Sequence, residues 1–387
     1  MVWLFISPEF PPNYHLFAWH FQKLGGTAIG IGGVPFHELP PQVAQSLNFY
    51  VGLEDLHDTE KVIRTAYELQ NQVGKIEGVD SFNEYWLPLE ATIREALNIP
   101  GPRPSDLPTF QQKSQMKLYF QKAGIEPIPG KVAQDLKDVG EFIAEHGLPI
   151  IAKPDKGVGA SSTVRIGTIE ELRRFQTTFR PGYLLEKFIT GTIQTYDGLV
   201  DREGRIVFSA SLEYSRGIAE VVNQDTDLFY FVQRDIPDDL AQIGPRIVEA
   251  YGLKMRFFHF EFIRSSEGRI YPLEVNMRPP GYPTLDLFDF AHDIDLYYIW
   301  AACVLEKPIN SLPPAHYYTC YIARKNNIGY EHSHEAILRK IGSRLLYHAP
   351  TNPLFRAAMG DYHYVIRTPD FREMIEIADY IHKRLTL

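Results

Sequence analysis

Two carboxylates and one amide that share a face of a predicted β-hairpin are the residues with the clearest chemical meaning in this chain. The segments 257–263 and 270–278 have the length and composition of strands, and a Glu-Gly turn signal lies between them. With the turn centred there, Glu261 lies opposite Glu274, and Asn276 projects from the same face because strand side chains alternate. Facing carboxylates repel each other unless a positive group lies between them. The pattern therefore predicts a Mg²⁺ site, since this ion prefers oxygen ligands.

A solvated sheet face is the alternative explanation for the same acidic pair, because acidic side chains usually lie in water. The residues that flank Glu261 and Glu274 are strongly apolar, which is typical of strands in a protein interior. A carboxylate in the interior needs a partner or a metal ion. The metal interpretation is therefore favoured over the solvated face.

The composition limits the class of protein. A chain of 387 residues with 44% hydrophobic and 22% charged residues is typical of a soluble globular protein with two or three domains. A formal net charge of −9 argues against a nucleic-acid partner. Cys303 and Cys320 have neither disulfide nor zinc spacing, which favours a reducing compartment, the cytoplasm. No stretch of about 20 apolar residues predicts a membrane span.

The order of apolar runs predicts how the chain is organised. Residues 1–106 alternate short apolar runs with helical patterns at 60–72 and 82–97, as a parallel α/β sheet requires. The dinucleotide pattern Gly-x-Gly-x-x-Gly does not follow the first strand. The proline-rich segment 99–104 is predicted to be a linker, and 109–124 a helix that ends at its glycine.

Two later segments have the composition of nucleotide-binding elements. Segment 155–163 directly follows a strand over 149–154, and its small residues lie close to Lys153 and Lys156, which suits a loop over phosphate groups. Plain turn chemistry is the commoner explanation of a Gly-x-Gly loop, and no P-loop pattern is present. Segment 186–189 ends an apolar strand, and it suits either an adenine-binding edge or an ordinary solvated strand end.

The chain resembles the ATP-grasp enzymes over most of its length. The elements that carry the resemblance are, in chain order, Lys113, Lys153 with its glycine-rich loop, segment 186–189, Glu261 and the pattern Glu274-x-Asn276-x-Arg278. The similarity is to the biotin carboxylase and carbamoyl phosphate synthetase branch and its related amino-acid ligases. The implied fold is α/β and α+β, with an N-terminal parallel α/β domain, an ATP-grasp core with a small lid, and a C-terminal α+β part.

The same resemblance implies roles for particular residues. The ATP-binding residues would be Lys113, Lys153, Lys156, Gly159, Ser161, Ser162 and the adenine hinge Glu186, Lys187, Phe188 and Ile189. The implied metal ligands are Glu261, Glu274 and Asn276, for two Mg²⁺ ions with Mn²⁺ as a substitute. Lys153 and Arg278 would be catalytic, with Arg278 reaching the transferred phosphoryl group.

The chain departs from the biotin carboxylase pattern where substrates are bound. After Arg278 it continues with the segment 279–284, Pro-Pro-Gly-Tyr-Pro-Thr, which resembles carboxylate-amine ligases and argues against biotin. The acid that often holds the ribose is replaced, and Asp197 is the substitute that the sequence offers. Arg216 and Glu220 suit a substrate carboxylate and ammonium, or equally a solvated loop.

These observations lead to one expectation with two alternatives. The domains are expected at 1–106, 107–315 with a lid at about 122–185, and 316–387. The expected activity is ATP-dependent ligation of a carboxylate, an amino acid or another small acid, to an amine through an acyl phosphate, with ADP and phosphate released. The alternatives are a bicarbonate-activating carboxylase or carbamoyl-phosphate-type enzyme, and a non-catalytic ATP-binding regulatory protein. The resemblance leaves a homodimer open.

Overall fold

The structure, a computed structural model, describes residues 1–157, 163–217, 220–221 and 225–385. The predicted loop residues Gly159, Ser161 and Ser162 therefore lie outside the described residues. The strands of the described part form three sheets. No helix in the described part is long and apolar enough to cross a membrane.

The N-terminal part is a four-stranded parallel sheet in the order β3-β2-β1-β4, as the alternating sequence pattern predicts. Its strands are β1 Val2–Ile6, β2 Thr27–Gly32, β3 Phe49–Gly52 and β4 Ile76–Asp80, and the helices around them are α1 His15–Lys23, α2 Pro41–Ser46, α3 Thr59–Val73 and α4 Leu87–Ala96. The strand order reverses beside β1, so a crevice opens where β1 and β4 end. Crevices of this kind are the usual binding sites of open α/β sheets.

A second, antiparallel sheet of four strands occupies the region predicted to be the lid, in the order β5-β8-β6-β7. It consists of β5 Gly130–Ala133, β6 Ile150–Pro154, β7 Val164–Ile166 and β8 Tyr183–Lys187, with helices α7 Leu136–His146 and α8 Ile169–Thr178. Helices α5 Leu107–Gln111 and α6 Lys113–Lys122 precede it.

The third sheet has nine strands and runs through the rest of the chain, in the order β14-β13-β9-β11-β12-β15-β17-β16 with β10 paired to β9. Its strands are β9 Gly191–Val200, β10 Ile206–Ala210, β11 Leu212–Tyr214, β12 Phe229–Val232, β13 Arg256–Ser265, β14 Ile270–Asn276, β15 Tyr318–Arg324, β16 Leu345–Pro350 and β17 Tyr362–Thr368. Its helices are α9 Asp238–Tyr251, α10 Thr284–His292, α11 Leu296–Val304, α12 His334–Ile341, α13 Arg356–Met359 and α14 Phe371–His382. The last three strands continue the same sheet past residue 315, and the domain boundary there stays a prediction.

Two helix predictions were wrong. The helix predicted at 82–97 begins only at Leu87, because Phe82 has a left-handed φ of +58° and the residues after it form a loop. The helix predicted at 109–124 is two helices that meet at Gln112, whose φ of −105° and ψ of 117° are extended. Gln112 forms an isolated β-bridge with Lys156, so tertiary pairing interrupts the helix there.

The predicted hairpin is β13 and β14. Phe258, Phe260 and Phe262 alternate along β13 and are fully buried in the core on one face of the sheet. Gly268 supplies the turn with a φ of +82°, a conformation that glycine adopts without strain. The alternation leaves the intervening residues of β13, His259 and Glu261, on the opposite face.

Candidate active site

The predicted pairing of the two carboxylates is confirmed. Glu261 lies directly across from Glu274, and His259 lies across from Asn276, so all four side chains share one face. Asn276 is buried, and the side chains of Glu261 and Glu274 are partly buried. The two carboxylates are therefore held close together by main-chain pairing rather than by flexible side chains.

Glu261, Glu274 and Asn276 each contact a basic side chain. Lys113 Nζ lies 3.6 Å from Glu274 Oε1 and donates a 2.9 Å hydrogen bond to the Gly157 carbonyl. Arg278 Nη2 donates to Asn276 Oδ1 at 3.3 Å. His259 Nε2 lies 3.2 Å from Glu261 Oε1. The face therefore carries alternating negative and positive groups.

The pKa values of the two glutamates are shifted in opposite directions. Burial raises the pKa of Glu274, Lys113 opposes this, and the charge of Glu261 adds to the increase. The pKa of Glu261 is lowered, because the hydrogen bond and charge of His259 outweigh the effect of burial. Two carboxylates that interact this strongly favour binding of a further cation between them.

A buried dyad supports His259. Its Nδ1 lies 2.6 Å from Asp197 Oδ1, and Asp197 is fully buried and also accepts a hydrogen bond from the Thr195 hydroxyl. Burial alone would lower the pKa of His259, but Asp197 and Glu261 raise it to about 9. Asp197 is fully buried, and its contact with a ribose stays a prediction.

The donor set fits magnesium. Two carboxylates and an amide are hard oxygen ligands, and Mg²⁺ typically uses one or two protein carboxylates together with substrate phosphates. The described ranges contain no group of three or more His, Cys, Asp and Glu side chains placed to hold a metal ion. The candidate ligands come from the hairpin pairing, namely Glu261, Glu274 and Asn276, and their metal role stays a prediction.

Lys153 lies in a buried triad that the sequence did not predict. Its Nζ is 2.6 Å from Glu186 Oε2, while Lys117 forms an ion pair with the other oxygen of Glu186. Lys153 and Glu186 are 6% and 3% exposed, so both charges are desolvated. The positive charge of Lys153 also helps to lower the pKa of Glu261, and it opposes the burial that raises the pKa of Glu274.

The predicted adenine hinge lies at the end of β8. The amide of Lys187 donates to the Pro129 carbonyl at 3.1 Å, and the amide of Phe188 donates to the Pro149 carbonyl at 3.3 Å. The ring of Phe188 lies 5.0 Å from the Arg165 guanidinium carbon. The adenine role of Glu186, Lys187, Phe188 and Ile189 stays a prediction, and the amides of Lys187 and Phe188 are already bonded.

Local contacts place Lys113 at the start of α6. The Asp155 carbonyl accepts from the Lys113 amide at 2.9 Å, and the Asp155 carboxylate accepts from the amide and hydroxyl of Ser114, each at 2.7 Å. Asp155 thus satisfies donors at the helix N-terminus, which needs such partners. Lys156, the other predicted lysine of this loop, is exposed.

Arg278 is positioned from the N-terminal sheet. Arg256 Nη1 donates to the Met277 carbonyl at 2.8 Å, and Arg256 lies 3.7 Å from the buried Glu90. Glu84, from the loop after β4, lies 3.5 Å from Arg278 Nε. The end of β14 is therefore joined to the N-terminal sheet by charged contacts.

Arg216 and Glu220, the predicted substrate ligands, form an ion pair with each other. Arg216 Nη1 pairs with Glu220 Oε1 at 2.6 Å, and the two side chains are 48% and 39% exposed. They bind each other, and their role as substrate ligands stays a prediction.

Sequence reasoning missed Lys117 and Glu84, which lie close to the predicted site. Lys117 follows Lys113 by four residues, so both lysines lie on one face of α6, and this spacing is a usable signal. Glu84 follows a parallel strand at the edge where α/β sheets bind ligands.

No protein-family model and no curated protein sequence matches the chain. Solved structures match it over nearly its whole length. An L-amino acid ligase from Bacillus licheniformis is 16% identical, with 97% of this chain and 95% of that chain covered and a TM-score of 0.72. The ADP complex of an N5-carboxyaminoimidazole ribonucleotide synthetase is 16% identical, with coverage of 98% and 96% and a TM-score of 0.74.

A third similar structure is the biotin carboxylase domain of the 2-oxoglutarate carboxylase from Hydrogenobacter thermophilus, a dimer in complex with MgADP, ADP and bicarbonate. It is 16% identical, with coverage of 95% and 86% and a TM-score of 0.70. The chain therefore has an ATP-grasp fold of the biotin carboxylase-like kind, and the predicted fold class is confirmed.

Proposed function

We propose that this protein is an ADP-forming ligase that joins a carboxylate to an amine through an acyl phosphate. The observation that carries the proposal is the single face on which Glu261 and Glu274 oppose each other among Lys113, Lys153 and Arg278. Phosphoryl transfer depends on fixed positive charge around the moving group, and this face supplies it. The similar L-amino acid ligase favours an amino acid as the carboxylate substrate.

Each residue has a role in the proposal. Glu261, Glu274 and Asn276 would hold two Mg²⁺ ions, which neutralise phosphate charge when bound. Lys113 and Lys153 would bind the phosphates of ATP, together with Lys156 and the loop that follows it. Segment 186–189 would hold the adenine.

Arg278 acts on the transferred group. In the first step a substrate carboxylate oxygen bonds to the γ-phosphorus of ATP, the bond between that phosphorus and the β-phosphate oxygen breaks, and ADP leaves, while Arg278 stabilises the negative charge of the moving group. In the second step the amine nitrogen bonds to the acyl carbon, the carbon–oxygen bond to phosphate breaks, and the nitrogen loses a proton. The acyl phosphate must be protected from water, which the small lid sheet would do.

A bicarbonate-activating enzyme is the second candidate, since the similar Hydrogenobacter domain was solved with bicarbonate. The dimer of that domain also supports a homodimer for this chain.

The cytoplasm is the proposed location, because Cys303 and Cys320 are both buried and unpaired.

The decisive experiment measures ADP and phosphate release by the purified protein with MgATP. One set of assays contains pairs of L-amino acids, and a second set contains bicarbonate with and without an amine. Products of both sets are identified by mass spectrometry. Amine-dependent ADP release with a ligated product supports the proposal, and bicarbonate dependence supports the second candidate. Tight ATP binding without turnover under every condition would instead identify a regulatory protein.

The matched variants for this assay are Glu274→Gln and Glu95→Gln. Glu274→Gln removes one predicted metal ligand at nearly constant shape and should abolish most ADP release. Glu95→Gln makes the same change at an exposed residue of α4 and should leave ADP release unchanged. Equal activity of the two variants contradicts the role assigned to the acidic face.

A further inference from the structure

Glu84 is a buried carboxylate beside Arg278 that the proposed reaction does not yet use. Its side chain is 9% exposed, and its Oε2 lies 3.5 Å from Arg278 Nε without a hydrogen-bond partner. It lies in the loop after β4, next to the point where the strand order reverses between β1 and β4. A buried carboxylate oxygen without a donor is costly, so its retention calls for an explanation.

A second buried acceptor without a donor lies next to it. Gln111, the last residue of α5, interacts with Glu84 through its side chain, and its own Oε1 is buried without a partner. Glu84 and Gln111 come from different parts of the chain, separated by the linker. Two unpaired acceptors at one place indicate that a donor of N–H or O–H groups belongs between them.

The local charge indicates which donor this is. Glu84 interacts electrostatically with Glu274 as well as with Arg278, so a carboxylate or phosphate at Glu84 would meet two negative groups. An ammonium group would be attracted by the charge of Glu84. Its N–H groups could donate to Glu84 Oε2 and Gln111 Oε1, the two oxygens that have no donor. The position beside Arg278 also brings the nitrogen next to the place proposed for the activated acyl group. There the ammonium gives one proton to the Glu84 carboxylate, the free amine attacks, and the nitrogen loses its second proton as phosphate leaves.

We propose that Glu84, assisted by Gln111, binds the ammonium group of the amine substrate, which is therefore a cationic primary amine such as the α-amino group of an amino acid. The inference rests on the proposed ligase function and names the residue that recognises its second substrate. It predicts that neutral nucleophiles depend on Glu84 much less than ammonium substrates do.

The test compares two nucleophiles in the same protein. Hydroxylamine, which is uncharged at pH 8, traps an acyl phosphate as a hydroxamate, while an equimolar mixture of the twenty L-amino acids supplies cationic amines. Hydroxamate and ligated products are measured for the wild type and for Glu84→Gln, which removes the charge and keeps the shape. The concentration of the amino-acid mixture that gives half-maximal ligation should rise by about 10- to 100-fold in Glu84→Gln, the value of one charge-assisted hydrogen bond.

The ratio of ligated product to hydroxamate separates recognition from support of Arg278. If Glu84 only orients Arg278, both products fall together and the ratio stays at the wild-type value, which overturns the inference. If Glu84 binds the ammonium group, the ratio falls at least tenfold. Failure of the wild type to form either product would instead refute the ligase function itself.

Two further variants complete the design. Gln111→Met removes the second acceptor at similar length and should lower the same ratio by about threefold to tenfold, which gives an independent test if Glu84→Gln does not fold. Glu95→Gln repeats the charge loss on the exposed side of α4 and should retain the wild-type ratio. An unchanged ratio in a folded Glu84→Gln variant overturns the proposal, and if that variant does not fold, an unchanged ratio in a folded Gln111→Met variant does so.

Discussion

Replacing Glu186 by leucine should destabilise the protein by about 3–5 kcal/mol, because it leaves two buried lysines without their shared partner. Lys117, Glu186 and Lys153 have side chains that are 13%, 4% and 7% exposed, and Glu186 Oε2 lies 2.6 Å from Lys153 Nζ. Lys117 also donates to the Ile128 carbonyl at 2.7 Å, so part of its hydrogen bonding survives the change. The lower half of the range is therefore the expected result.

Urea unfolding followed by fluorescence measures this free energy directly. The double variant Lys117→Met with Glu186→Leu should recover at least half of the loss, because one unpaired charge is removed with the carboxylate. Glu170→Gln breaks an ion pair with Arg174 whose side chains are 74% and 75% exposed, and it should leave the unfolding midpoint unchanged. A loss below about 1 kcal/mol in Glu186→Leu would refute the view that the triad is desolvated.

The pH dependence of the free energy of unfolding is a second test of the same triad. Burial alone would raise the pKa of Glu186, but Lys153 and Lys117 outweigh it and hold the pKa below its usual value. A lowered folded-state pKa stabilises the protein above the unfolded value of about 4.3. That stability is lost as the pH falls through the folded-state pKa. Glu186→Leu should therefore lose less stability on acidification than the wild type.

Three further outcomes are expected. Glu274→Gln should weaken MgADP binding at least tenfold in calorimetry and leave ADP binding in EDTA nearly unchanged, and equal MgADP affinities would contradict its role as a metal ligand. In EDTA, His259 should stabilise the fold below pH 6.5 and lose this effect as the pH rises through about 9, because Asp197 and Glu261 raise its pKa despite burial. In His259→Gln, the plot of thermal midpoint against pH should lack this loss. A plot identical to that of the wild type would argue against the charged imidazole. Gly198→Ala should lower the thermal midpoint, because its Cβ would lie 2.3 Å from a main-chain oxygen of β10. Gly140→Ala should raise the midpoint, because no atom lies within 4 Å of its Cβ and alanine favours a helix. The opposite order of the two midpoints would contradict the packing of β9.

The hairpin could be predicted because its signals are local. Alternation with a period of two places Phe260 and Glu261 on opposite faces, and the turn at Gly268 fixes which residues of β13 and β14 are opposite. A bulge after Glu261 shifts the register in the part of the hairpin nearer the turn, yet the carboxylate pair is retained. Sequence reasoning therefore identified the acidic pair before any tertiary contact was known.

The rest of the site depends on contacts between distant segments. Glu84 meets Arg278 across 194 positions of the chain, and no periodicity within either segment encodes that contact. The break at Gln112 arises from pairing with Lys156, which overrides the helical pattern around it. Lys117 could be predicted only in part. Its spacing from Lys113 indicates a shared helix face, but no local pattern indicates its partner Glu186.

The buried charges of the site are not explained by stability. Hydrophobic side chains of similar volume often replace a buried ion pair without loss, and the opposite face of β13 shows such packing in Phe258, Phe260 and Phe262. The site nevertheless keeps Lys153 against Glu186 in the second sheet and Glu261 against Glu274 in the third. Charges fixed in place before a substrate binds need little rearrangement when negative charge develops during a reaction. Under the proposed function these charges serve a polyanionic nucleotide, whose phosphates would meet the lysines and whose oxygens would complete a magnesium shell.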